Sequence, residues 1–436
     1  MRHVDESSGG GRKGLKDDGQ EDDSEQAPSP ASQHDPWITT HSGSPLAVLA
    51  VDIWQQLEAA RGPTSRKPRG DAAERRKAIV RNLLANLTLL TLRHPKDHRL
   101  AISADKQAMT RYDRPDLPRE PLLQAVREME SHGLVLLYPG VSRKLRTTIT
   151  PTEGLRSMLA YAGASLEQID RAPGGETIIL KADVGRRRPK LLINYRDNPE
   201  ADRLRAEMAT INAALNAADI RLDGERQEPI HLVRIFLIET GDAPHTFHRH
   251  GRLFRGHWQH VRREKRAGLT IDGERLAELD YKAAYVQLAY ALNGVPLPQG
   301  DPYAVAGLEE HRAGVKKAMA SLFFRSGPME RLSGELRDLL PVGWTARRVE
   351  EAVAAHHPAI APLFGSGIGA TLAHTESSIL VAVLLRLIRE GVAALPLHDC
   401  LLVSQRHKAA ALAAMHEESA RIVGFVLPVE EKALAA

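Results

Sequence analysis

The sequence predicts an α+β fold: an antiparallel sheet backed by helices, preceded by a separate N-terminal domain. Three observations predict it. Leu395–Val403 reads as a strand, a polar His398-Asp399 tip and a second strand, because apolar residues flank that pair on both sides. Leu276–Tyr281 reads as a short strand that carries Asp280 near its end and runs at once into a helical pattern. Upstream, residues 46–164 change from helical to hairpin-like patterning, which sets the N-terminal domain apart.

At 436 residues the chain has room for two to three domains, each with its own core. Its net charge of +4 is a sum of unlike parts. An acidic stretch (Asp17, Asp18, Glu21, Asp22, Asp23, Glu25) offsets basic blocks such as Arg186-Arg187-Arg188 and Arg262-Arg263-Glu264-Lys265-Arg266. Basic clusters on a folded body favour nucleic acid, and they also serve as solvated surface. Cys400 is the one cysteine, which excludes a disulfide framework and a cysteine-rich zinc site and fits a reducing cytoplasm. The apolar run Ile379–Ile388 is interrupted by Arg386 and is short for a bilayer span. No basic-then-apolar signal pattern opens the chain. The expectation is a soluble cytoplasmic protein with no membrane partner.

Residues 1–45 are rich in Gly, Ser, Asp, Glu and Pro and are expected to be disordered. Within 46–164, Ile79, Leu83, Leu84, Leu87 and Leu90 recur at helical spacing over Arg76–Arg93. A second helix runs near Pro121–His132 and is stopped by Gly133. A strand Leu134–Tyr138, a Pro139-Gly140 turn and a basic strand Ser142–Thr150 follow. This order resembles the winged-helix modules of replication initiators and regulators, with Arg143, Lys144 and Arg146 on the wing. The resemblance implies DNA contact, although winged helices also act as protein–protein modules. Residues 165–245 read as an α/β connector: Thr177–Leu180 and Lys190–Tyr195 as paired strands, a helix Pro199–Ala218 and a strand Leu232–Ile238.

Residues 246–436 carry the chemistry. In Thr246–Gln259, glycines allow close backbone approach, Arg249, Arg252 and Arg255 suit phosphates, and aromatics can stack or pack. His245, His248 and His250 could instead chelate a metal, though no cysteine accompanies them. Beyond Asp280 the pattern gives helices at Tyr281–Leu292, at one or more places between Glu309 and Val353, at Thr375–Glu390 and at Arg406–Ile422, then a strand near Val426–Glu431. Asp280 and Asp399 are thereby expected on adjacent strands, where two carboxylates suit a paired divalent-ion site for phosphoryl transfer.

These residues resemble the polymerase I-like (family A) nucleic-acid polymerases, including the phage single-subunit enzymes. The first motif of that family, Asp-Tyr-Ser before a helix, matches Asp280-Tyr281-Lys282, and the His-Asp motif within apolar strands matches His398-Asp399-Cys400. An Arg, a Lys four later and an aromatic twelve after the Arg match Arg312, Lys316 and Phe324, with Phe323 kept beside it on helical geometry. The resemblance implies an antiparallel polymerase-like palm sheet with reduced fingers and a template-dependent nucleotidyltransferase, foremost a DNA polymerase. It implies two Mg²⁺ ions, with Mn²⁺ as a substitute, held by Asp280 and Asp399, and a DNA primer-template and nucleoside triphosphates as partners. Arg312, Lys316, Tyr281, Tyr285, Phe323 and Phe324 fall on the nucleotide side, and His398, Glu376, Arg249, Arg252 and Arg255 on the primer–template side. Cys400 and Arg325 depart from the pattern, which normally has an acid and a glycine there.

Several residues keep two readings. Tyr285, five after Asp280, is a steric gate against a 2′-hydroxyl or helix packing. Glu376 lies on the inward stripe of its helix, either facing a cleft or favoured by the helix dipole. Glu278 shares the face of Asp280 and either assists the metals or closes an ion pair. Rival functions are a primase or RNA polymerase with the same palm, and a non-catalytic DNA-binding initiator or regulator with a degenerate palm. The oligomeric state is not readable from these residues.

Overall fold

The computed structural model describes residues 31–61, 71–103, 109–140, 146–183, 190–239, 245–296, 299–397 and 399–433. The chain is α+β, and its apolar side chains gather in two clusters. The first is built from β1 (Ala31–Gln33), β2 (Ile38–Thr40), α1 (Pro45–Ala60), α2 (Ala72–Arg93), β3 (Arg99–Ile102), α3 (Arg119–Ser131), β4 (Val135–Tyr138), β5 (Thr147–Pro151), α4 (Glu153–Tyr161) and β6 (Ile169–Arg171). The stripe Ile79, Leu83, Leu84, Leu87 and Leu90 is buried along α2, as its spacing requires. One sheet runs β1-β3-β5-β4, with β3 and β4 both antiparallel to β5.

The expectation of disorder through residue 45 is corrected here. β1 pairs with β3, β2 pairs with β6, and Trp37 and Ile38 are buried. Arg171 holds the Asp35 carboxylate at 3.1 Å, and Asn86 accepts from its backbone N–H. Average composition hid this short apolar pair at the edge of a polar run.

The second cluster begins with β7 (Ile178–Asp183), β8 (Leu191–Leu192), α5 (Pro199–Ala217), β9 (Ile220–Leu222), β10 (Glu225–Arg226), β11 (Val233–Glu239) and β12 (His250–Phe254). β7 and β11 are parallel, joined through α5, while β12 is antiparallel to β11. Strand, helix and strand in sequence favour such a crossover, because parallel neighbours need a long connection. Only two residues of the expected Lys190–Tyr195 strand pair with β7.

The chain then forms β13 (Leu269–Ile271), β14 (Glu274–Tyr281), α6 (Ala284–Leu292), α7 (Arg312–Phe324), α8 (Gly334–Asp338), α9 (Ala346–His356), α10 (Gly369–Arg389), β15 (Ala394–Leu397), β16 (Cys400–Ser404), α11 (Lys408–Val423) and β17 (Val429–Lys432). The large sheet runs β10-β9-β13-β14-β16-β15, and β17 also pairs with β14. Every pairing within it is antiparallel. α10 is long and apolar enough by composition to cross a membrane, unlike the shorter run read from sequence. Here it packs against β12, α5, α6 and α11 and buries Glu376, so it serves as the helix behind the site.

A tie from the approach to β13 secures the β15–β16 hairpin. Trp258 is fully buried, and its indole N–H donates to the Pro396 carbonyl at 2.7 Å. Trp258→Phe removes that donor and part of the packing and is expected to cost about 1–3 kcal/mol in urea unfolding. Arg347→Ala, which breaks an exposed pair with Glu351, is expected to change stability by less than about 0.5 kcal/mol in the same titration.

Candidate active site

β14 brings Asp280 into the middle of the sheet, opposite Cys400 of β16 on one side and Glu430 of β17 on the other. β15 and β16 pair up to Leu397↔Cys400, so Asp399, which immediately precedes β16, stands next to the partner of Asp280. One carboxylate oxygen from each aspartate and the Cys400 sulfur lie within 4.8 Å of one another. The arrangement follows from the strand pattern: Leu279 faces Leu401 and Ala277 faces Val403, all buried, and alternation turns Asp280 and Glu278 to the opposite face.

Asp280 is 6 % exposed. Burial and then the Asp399 charge push its carboxyl up, and the Lys432 ammonium pulls it down. Lys432 Nζ contacts Asp280 Oδ2, whereas buried Oδ1 has no hydrogen-bond partner among the described residues. The Cys400 thiol is pushed up by burial and by both aspartates, which keeps it protonated and leaves the two carboxylates as donors. An orphaned buried oxygen, a neighbouring carboxylate and hard ligand atoms fit a divalent ion of the Mg²⁺ or Mn²⁺ type. Among the described residues no other group of three such side chains gathers. The His245, His248 and His250 alternative is not assembled: His250 Nδ1 bonds the Ile235 carbonyl, and His248 lies 3.7 Å from Glu200.

A second cluster shares the site. Arg252 Nε donates to Glu376 Oε2 at 2.7 Å and its Nη2 donates to the Tyr285 hydroxyl at 2.8 Å. The Tyr285 ring meets Phe324 edge-on at 5.5 Å. Two glycines permit this closeness. A Cβ on Gly251 would meet the Phe236 ring at 2.8 Å, and one on Gly369 would meet the Phe324 ring at 2.5 Å. Burial pushes the Glu376 carboxyl up to about 7; Arg252 opposes the shift, while Asp399 and Asp280 reinforce it.

On α7, Arg312 donates to Asp301 at 2.6 Å and lies 4.9 Å over the Tyr303 ring; Lys316, one turn on, is exposed. Phe324 is half exposed, but Phe323 is turned into the core against Phe364, so Phe323 is not available to a base. Tyr281 is likewise buried, its hydroxyl donating to the Met415 carbonyl on α11, which removes it from the nucleotide side. Glu278 closes an ion pair with Arg266 at 3.3 Å. Arg249 is paired with Glu239, Arg255 stands near Asp35 and Arg171, and Arg146 donates to Gln33 of the N-terminal body. His398, Arg143 and Lys144 lie outside the described residues.

Sequence reasoning missed Lys432, Asp301 and Tyr303. Lys432 sits on a strand whose approximate place was readable, but its contact depends on the β14–β17 register.

No protein-family model matches the chain, and no curated protein matches it. Among solved structures, the POL domain of Pol1 from M. smegmatis, in complex with DNA primer-template and dNTP, overlaps 91% of this chain at 15% identity and a TM-score of 0.28. This chain spans 66% of that one, just under two thirds, and an overlap at that score is too loose to argue from.

Glu376 gives a pH test. Its ordinary value is 4.5, and in the folded protein it is about 7. Between these, the folded protein holds a proton that the unfolded chain has released, so the contribution of Glu376 to stability is full below pH 4.5 and is lost as pH rises to about 7. Glu376→Gln has no such loss. Its Tm relative to the unmodified protein is therefore expected to climb between pH 4.5 and 7 and to level off above, in calorimetric scans across that range.

Proposed function

We propose that the chain is a template-dependent nucleotidyltransferase, a DNA polymerase that extends a primer 3′ end with nucleoside triphosphates. The observation that carries this reading is the meeting of Asp280 and Asp399 across the β14–β16 pairing, with a buried oxygen left unpartnered. Asp280 and Asp399 would hold two divalent ions, Mg²⁺ or Mn²⁺, which lower the pKa of the attacking 3′-hydroxyl and neutralise charge on the leaving pyrophosphate. Asp280 and Asp399 orient that centre; neither acts as an acid, since both must remain anionic to bind cations.

The other residues bind and select. Arg312 and Lys316 occupy one face of α7, one turn apart, and would take the triphosphate, with Arg312 exchanging Asp301 for phosphate oxygens. Phe324 offers a half-exposed ring for stacking on a base. Tyr285 is fixed by Arg252 on its hydroxyl and Phe324 on its edge, which favours its reading as a wall against a ribose 2′-hydroxyl and so favours deoxynucleotides. Arg252, positioned by buried Glu376, would meet the primer–template end. In the N-terminal body, the order α2, β3, α3, β4, β5, with β5 between β3 and β4, supports a winged-helix module that docks the enzyme on DNA.

Primer extension of a labelled recessed 3′ end in Mg²⁺ or Mn²⁺ tests the reading. Asp399→Asn and Asp280→Asn are each expected to lower the extension rate on the order of 10³-fold or more, with folding retained by circular dichroism. Tight duplex binding with no nucleotide addition would instead assign the chain to the non-catalytic initiators. With the unmodified protein, deoxynucleotides are expected to be preferred, and Tyr285→Ala is expected to narrow that preference by about tenfold or more in single-nucleotide incorporation. A ribonucleotide preference in the unmodified protein would make it a primase or RNA polymerase.

A further inference from the structure

We propose that Lys432 is a tethered cation that occupies the metal position at Asp280 and competes with the divalent ion for it; the inference rests on the two-metal reading above.

β17 runs along β14 through four paired positions, from Tyr281↔Val429 to Glu278↔Lys432. This pairing delivers Lys432 diagonally onto the Asp280 face, and its Nζ contacts Oδ2. The ammonium also lies 3.9 Å from the Cys400 sulfur, so it sits beside the same group of donor atoms that a metal would use. Asp280 has an 8 % exposed side chain and Asp399 beside it; with no counter-charge, two neighbouring carboxylates in such burial would repel strongly. Lys432 supplies that counter-charge from within the chain.

A lysine at this position makes the contact exchangeable. The Lys432 side chain is 31 % exposed against 8 % for Asp280, so the lysine can withdraw toward water and leave Oδ2 to an ion. A lysine is a point charge on a flexible stem and grips one oxygen, whereas an arginine would lock a carboxylate with a planar fork. An arriving divalent ion therefore exchanges with Lys432 at Oδ2 while Oδ1 stays free to coordinate. The exchange keeps Asp280 neutralised in both states and lowers the apparent affinity for metal.

The test is a Mn²⁺ titration of the full chain, followed by the electron paramagnetic resonance of the free ion. Lys432→Met is expected to bind Mn²⁺ more tightly, on the order of tenfold. Lys432→Arg keeps the charge with a firmer grip and is expected to bind at or below the affinity of the unmodified protein. Should Lys432→Met not fold, binding by Lys432→Arg at or below the unmodified affinity supports the exchange, and tighter binding there overturns it. Unchanged or weaker binding in folded Lys432→Met overturns the competition by itself, provided Asp399→Asn abolishes binding. No Mn²⁺ binding in any of these proteins removes the metal site, and the proposed function with it.

Discussion

The antiparallel pairing of β14 with β16 is the constraint on which the site depends. All residues from Leu276 to Tyr281 are buried, so β14 is covered on both faces. A one-residue slip would exchange those faces and send Leu279 to the position of Asp280. Leu279 against Leu401 and Ala277 against Val403 resist that slip on one side, and the Tyr281 hydroxyl, bonded to the Met415 carbonyl, resists it at the end. The core therefore sets where the carboxylate stands. The approach of Asp280 to Asp399 is a by-product of apolar register, with no attraction between the two acids required.

Three buried carboxylates belong to this sheet and to the helix behind its site, and each is matched by a cation from another element. Glu278 has Arg266 from the segment before β13, Glu376 has Arg252 from β12, and Asp280 has Lys432 from β17. Unmatched buried charge is costly, and a matched pair roughly breaks even at best, so these pairs are weak arguments for stability. Their arrangement is informative in another way. The two glutamates are held by arginines, which grip with a rigid fork. The aspartate with an orphaned oxygen is held by a lysine. The exchangeable partner thus sits at the carboxylate best placed for a metal, and the fixed partners sit around it.

Local pattern explains what was legible in the sequence. The apolar–His398-Asp399–apolar run and the short strand before α6 are readable because each spans fewer than ten residues, with its apolar and polar residues adjacent in the chain. The α2 stripe is readable from its period of 3.6. Features set by long-range partners are not. Lys432 needs the β17 register, and the parallel β7–β11 pairing joins strands about fifty residues apart. Phe323 and Phe324 illustrate an intermediate case. Adjacent residues on a helix diverge by about 100°, so only one can face the core, and the choice depends on where Phe364 and Gly369 lie. α10 begins at Gly369, six residues before the expected Thr375, and the Phe324 ring packs where a Cβ on that glycine would stand.

The two halves of the site are held in different ways. Gly251 seats β12 on α10 so closely that the Ser377 hydroxyl reaches the His250 carbonyl at 3.0 Å, and Arg252 comes directly after it in the chain. Arg252 then ties Glu376 of α10 to Tyr285 of α6, and Phe324 of α7 closes the row. Four elements share these contacts, so displacing one side chain disturbs the others, and the wall moves as a unit. Asp399 stands instead just before β16, and the Trp258 indole ties the neighbouring strand β15 at Pro396. A rigid wall suits selection, where a misfit of a hydroxyl must register as a clash. The exchangeable partner of Asp280 lies across from it, beside the two carboxylates that would meet the ions.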